Sequence, residues 1–371
     1  MGFLAGSLDP LVLLPLLGVA AGVVLGFVAR VNRFCTLSSL ERYWYAGDAT
    51  GLRTWVLAAA TALAVTQSLA ALGLANIEQS FYISSPFAWS GAILGGLLFG
   101  IGMALVGTCS FGAVVRLGGG SLRALVVLLV LGLSALAAQR GLVGLGRVHI
   151  VDNLALELSF STDRSLGSLI SALAGVDVRA LVVLVVLCAL LYWIFRDRGY
   201  RHQKGQFFSG ISIGSAIAFG WWATTYVSRF AFAPVQIEAG SFVVPVGDAI
   251  LQAVTYTGTL PDYGVGLVAG TLLGAIAGAR WNKDMRWEAC DDAQELSRHL
   301  LGAVFMGIGG VFAMGCTVGQ GISGFSTLAV SAPLVMLSMA FGARIGLAYL
   351  LEGTVLAAFR RNEVGSKGAI R

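Results

Sequence analysis

Cys109 and Cys316 stand in matching surroundings. Gly100-Ile101-Gly102 leads to Cys109-Ser110-Phe111-Gly112, and Gly307-Ile308-Gly309 leads to Cys316-Thr317-Val318-Gly319 in the same register. Each cysteine ends an apolar run and opens a glycine-rich turn, Arg116 to Gly120 in one copy and Gln320 to Gly324 in the other. A helix restarting after either cysteine presents unpaired backbone N–H groups and a positive dipole end, which bind anions. Gly107, Gly112, Gly315 and Gly319 let the backbone come close to a ligand. The thiol adds a polarizable sulfur and a weak S–H donor. Thr36, Ser38, Thr108, Ser110, Thr317 and Ser323 offer hydroxyls. The combination suits an anion with a soft end.

Cys35 lies in Asn32-Arg33-Phe34-Cys35-Thr36-Leu37-Ser38-Ser39, read as a short helix at the membrane edge. The corresponding region of the second copy has no cysteine. Cys188, amid Leu and Val, reads as packing, and Cys290 as incidental to a charged loop. The five cysteines show no CxxC or metal spacing. His149, His202 and His299 fall in predicted loops, so no haem, zinc or other cofactor is expected. The apolar segments hold no central Asp, Glu or His, which argues against a carboxylate proton relay. Glu352, at the end of the last span, is the nearest candidate.

Only a membrane fold fits the composition. Of 371 residues, 57% are hydrophobic and 12% charged, and mean hydropathy is +0.83; soluble domains carry about 25% charged residues. The 50 glycines suit close packing of transmembrane helices. The net charge of +5 sets orientation in such a protein, and no basic patch interleaved with aromatics points to nucleic acid.

Nine apolar segments are predicted to span, at 11–29, 54–74, 89–106, 122–138, 178–195, 207–225, 265–279, 300–314 and within 326–351. Basic loops follow the odd-numbered spans, among them the cluster Arg196, Arg198, Arg201 and Lys204. Placing those loops inside puts the N-terminus in the periplasm and the C-terminus in the cytoplasm. The third span then runs inward to Cys109 and the eighth outward to Cys316, so the repeat is inverted. Residues 1–177 form the first half. Residues 178–206 are a linking span with its basic loop, and 207–371 form the inverted second half. Such repeats place a binding site where broken helices meet.

The three cysteine stretches together resemble the YeeE/YedE family of bacterial sulfur-compound transporters, across nearly the whole chain. The resemblance implies an all-α, hourglass-shaped inner-membrane protein with two funnels and a thin central barrier. It implies a transporter for thiosulfate or a related anion, and no enzyme. Cys35, Cys109 and Cys316 would pass the anion by transient S–H···S hydrogen bonds. A separate sulfur-carrier protein of the TusA type is an implied partner.

A rival reading is a membrane thiol–disulfide oxidoreductase using the same cysteines, which needs a paired motif. A scaffolding subunit would leave the duplicated turns unexplained. Arg33 and Arg116 read as positive-inside anchors, as does Arg344 near the end of the last span. Gln67 reads as an interhelical hydrogen bond.

Overall fold

A computed structural model describes residues 10–156, 164–232, 234–255, 261–289, 292–354 and 358. Cys290 and the basic tail from Arg360 lie outside the described residues. Among the described residues the protein is helical, with isolated bridges in place of sheet.

Long helices occupy each predicted span: α1 (Pro10–Val31), α2 (Thr50–Ala71), α3 (Trp89–Val106), α4 (Leu122–Arg140), α5 (Arg179–Phe195), α6 (Lys204–Ser228), α7 (Tyr263–Trp281), α8 (Ala293–Phe312) and α9 (Ser331–Glu352). Six described helices are long and apolar enough to cross a membrane. α5 is shorter, at 17 residues. α8 begins in charged sequence, so its helix starts seven residues before the predicted apolar segment and takes in His299, which is buried rather than in a loop. The chain is an all-α polytopic membrane protein.

The helix pairings repeat. α1 packs on α7, and α6 packs on α2; α3 packs on α9, and α8 packs on α4. α1 also meets α6, and α3 meets α8. Thus the neighbours of the first four helices reappear among the last four, with α5 outside the scheme. α5 packs mainly on α2 and leaves Leu181, Leu184, Val185 and Tyr192 exposed.

Small residues explain these pairings. In lipid, apolar surface gains nothing from leaving water, so helices associate through close van der Waals packing. A Cβ on Gly22 of α1 would lie 2.3 Å from the Leu267 carbonyl oxygen. One on Gly270 of α7 would lie 2.2 Å from that of Val19. Gly214 of α6 is equally tight against Ala58, at 2.4 Å, and Gly100 of α3 against Met339, at 2.1 Å. Backbones touch at each crossing.

Candidate functional site

α3 stops at Gly107, whose φ of 77° is left-handed and readily adopted by glycine. Cys109 then caps a short helix, Ser110–Gly118. α8 unwinds through Met314 (φ 56°) and Gly315 (φ 153°), and helix resumes at Thr317 as a wide turn over Gly319–Gly324. Both turns use the sulfur alike. The Gly112 N–H donates to Cys109 Sγ at 3.4 Å, and the Gly319 N–H donates to Cys316 Sγ at 3.3 Å. With each sulfur accepting from its own backbone, the S–H hydrogen is left for another partner.

Cys109 and Cys316 are 1% and 0% exposed. The Cys35 and Cys316 thiols both lie close enough to act electrostatically on Cys109, and the Thr317 hydroxyl bonds it. Cys35 opens the short helix Thr36–Glu41, with extended backbone. Thr36 Oγ1 donates to Thr317 Oγ1 at 3.3 Å, both residues being buried. The Cys35 stretch therefore packs against the Cys316 turn. The reason is its approach: the helix packs on α2, which carries it beside the turn. All three cysteines of the predicted site, with Thr108, Ser110, Gly112, Gly315, Thr317 and Gly319, belong to one neighbourhood.

The hydroxyls either side of Cys109 are unusual. Thr108 Oγ1 and Ser110 Oγ are buried without a hydrogen-bond partner. A buried hydroxyl in that state costs about 1–3 kcal/mol. Both can hydrogen-bond a polar group that enters the turn.

Further residues hold the turns, and of these Tyr82, Ser241 and Trp55 had no sequence signal. Gln320 Nε2 donates to the carbonyls of Ala313 (2.8 Å) and Met314 (3.3 Å), clamping the unwound end of α8. A Cβ on Gly319 would meet Ser241 Oγ at 3.0 Å and the Tyr82 hydroxyl at 3.1 Å. Trp55 packs on Gly321 with its indole N–H unpartnered. Gln67 Nε2 donates to the Ser326 carbonyl at 2.9 Å, the interhelical bond expected of it. Arg116 donates to the Gly107 carbonyl at 2.8 Å, which ties it to the first turn as well as to the membrane face. Cys188 is on the exposed side of α5 and does not pack in the core.

The chain just after each turn lines a cavity. A space of about 210 Å³ at the end of α1 is lined by Arg30, Arg116, Gly119, Arg123 and Arg286 with two acids. A cleft of about 960 Å³ between α2 and α5 is lined by Gln67, Asn76, Arg179, Arg229 and Thr327. The two are related by the repeated pairings: Arg30 at the end of α1 donates to the Asp284 carbonyl (3.1 Å), as Arg229, just after α6, donates to that of Gly73 (2.6 Å). A third space, of about 20 Å³ beside Tyr82, Met314 and Gln320, has room for about one water.

Two curated proteins align over most of the chain. One is the thiosulfate transporter TsuA of Escherichia coli (strain K12), 24% identical over 327 residues, covering 82% of this chain and 86% of that protein. The other is the thiosulfate transporter TsuA of Spirochaeta thermophila, 24% identical over 354 residues, covering 88% and 96%. Residues 32–345 match the family described as sulphur transport. That match runs from the Cys35 stretch to past the Cys316 turn, and the chain belongs to the sulphur-transport family, the YeeE/YedE proteins.

Proposed function

We propose that the protein takes thiosulfate, or a closely related sulfur oxyanion, across the bacterial inner membrane through the constriction formed by Cys35, Cys109 and Cys316. The unpartnered, buried hydroxyls of Thr108 and Ser110 beside the Cys109 thiol carry this reading. An apolar plug between cavities needs no such groups, whereas an anion stripped of water needs donors in place of its hydration shell. The two sulfurs that accept from Gly112 and Gly319 keep their S–H hydrogens for the anion. The amides of Ser110 and Thr317, at helix starts, add donors. The relatives named thiosulfate transporters support the choice of anion.

In this reading residues 1–177 and 207–371 are two halves of opposite orientation, joined by 178–206. α5 is the extra crossing that inverts the second half. With the basic loops on the cytoplasmic side, the N-terminus would be periplasmic and the C-terminus cytoplasmic. The cleft of Arg179 and Arg229 is then the outer entrance, and the arginine cavity at Arg30 the inner exit. A separate TusA-type carrier would receive the anion there.

Uptake of ³⁵S-labelled thiosulfate into liposomes holding the purified protein tests the proposal. The native chain is expected to accumulate label, and Cys109→Ala and Cys316→Ala to lose most of it while staying monodisperse in detergent. Undiminished uptake by both variants would remove the thiols from the route. A stable disulfide among the three cysteines, found by thiol counting, would favour the redox rival.

A further inference from the structure

The connection that precedes the short helix Val244–Val254, residues 234–243, reaches the constriction without regular secondary structure. Ile237, Ala239, Gly240, Phe242 and Val243 are buried. Ser323 Oγ donates to the Gly240 carbonyl at 2.7 Å, and the Phe242 ring lies 4.8 Å from that of Phe111. Ser241 is beside Gly319. This segment therefore touches both cysteine turns, and two residues before Gly240 it carries Glu238.

Glu238 is partly buried and has acidic company. Asp262, just before α7, and Asp248, on Val244–Val254, both repel its charge. Tyr263 of α7 is near enough to sense it, and Tyr82 lies within electrostatic reach of both Glu238 and Cys316. α6 offers the uncharged Thr224, whose hydroxyl donates to the Glu238 carbonyl oxygen at 3.0 Å. The Gly264 N–H donates to the carboxylate. Among the described residues the cation at this cluster is Arg140 of α4, engaged with Asp248 at 3.7 Å.

We infer that Glu238 couples anion entry to protonation: its carboxylate bars the anion from the constriction, and its carboxylic acid admits it. The inference rests on the anion-transport reading above. Two like charges in a poorly solvated space repel strongly. Any anion held near Glu238 thus favours the protonated form, and protonation favours the anion by the same factor. The step is an acid–base equilibrium in which a carboxylate accepts a proton from water; no bond in the anion breaks. Burial first, then Asp262 and Asp248, push the Glu238 carboxyl up to about 8, so its charge changes near neutral pH. No apolar span carries this carboxyl. It arrives on a connection without regular secondary structure, where helical patterning gives no sign of it.

The test measures ³⁵S-thiosulfate uptake into liposomes from pH 6 to pH 9, for the native chain and Glu238→Gln. Native uptake is expected to fall steeply above about pH 8, approaching tenfold per unit as the acid form is depleted. Glu238→Gln, always neutral, is expected to carry thiosulfate with a profile flat to within about twofold. Uptake by the Gln variant that keeps the native pH profile overturns the inference and leaves the transport reading standing. No uptake by the native chain at any pH overturns both.

A second measurement needs no variant. Thiosulfate added to the weakly buffered native protein near pH 8.5 is expected to draw up to about one proton per protein from solution, followed with a pH dye. Thiosulfate binding with no proton taken up overturns the inference.

Discussion

Thr36 and Thr317 share a hydrogen bond of 3.3 Å although 281 residues separate them. The pair ties the Cys35 helix to the Cys316 turn, and Thr317 in addition bonds the Cys109 thiol. One hydroxyl therefore joins all three cysteine stretches. Thr317→Val keeps the shape and removes that junction. Uptake is expected to drop roughly tenfold, equivalent to about 1.4 kcal/mol, with stability lowered by about 1 kcal/mol. Normal uptake by a folded Thr317→Val protein would reduce the junction to packing.

Gly112 supplies the amide that holds Cys109 Sγ. A Cβ there would lie 2.1 Å from Thr108 Oγ1, so Gly112→Ala must push aside one of the unpartnered hydroxyls. A loss of about 1–3 kcal/mol in unfolding free energy is expected, together with loss of uptake. Gly146 has nothing within 4 Å, and Gly146→Ala is the neutral control in both measurements.

Gln320 holds open the break in α8. Gln320→Leu leaves the Ala313 and Met314 carbonyls without their side-chain donor, at about 1–3 kcal/mol. Thermal unfolding in detergent should register that loss, and transport should fall with it. A variant as stable as the native chain would mean that water replaces the amide.

Arg344 lies on α9 with its guanidinium 5.6 Å from the Trp44 ring centre and 4.9 Å from that of Tyr45. The Tyr45 hydroxyl donates to Glu352 at 3.2 Å. These contacts fit an anchor. Arg344→Met should destabilise by about 0.5–2 kcal/mol and keep transport. A tenfold loss of uptake at unchanged stability would instead place Arg344 on the route.

Stability should also depend on pH through Glu238. Burial raises its folded value from 4.5 to about 8. The folded protein then keeps a proton that the unfolded chain releases above about pH 4.5, so stability falls as pH rises through that window and levels off above about pH 8. Glu238→Gln should flatten that slope in melting experiments. An identical slope in the variant would assign the pH dependence to other groups.

The sequence by itself determined the helices and the two cysteine turns. Apolar length and glycine punctuation are local properties, and they mark the limits of α3 and, to within two residues, the end of α8, without reference to any neighbour. The register shared by Cys109 and Cys316 was legible for the same reason. Which side chains meet was decided only by the tertiary structure. Tyr82 sits on the short helix Phe81–Ser84, Ser241 and Glu238 sit on a connection without regular structure, neither has a periodic signature, and Thr36 reaches Thr317 because its helix is carried in against α2. Glycine-to-backbone contacts at α1–α7 and α2–α6 bring these segments to one point. That proximity is a matter of how whole helices pack, which no short stretch of chain encodes.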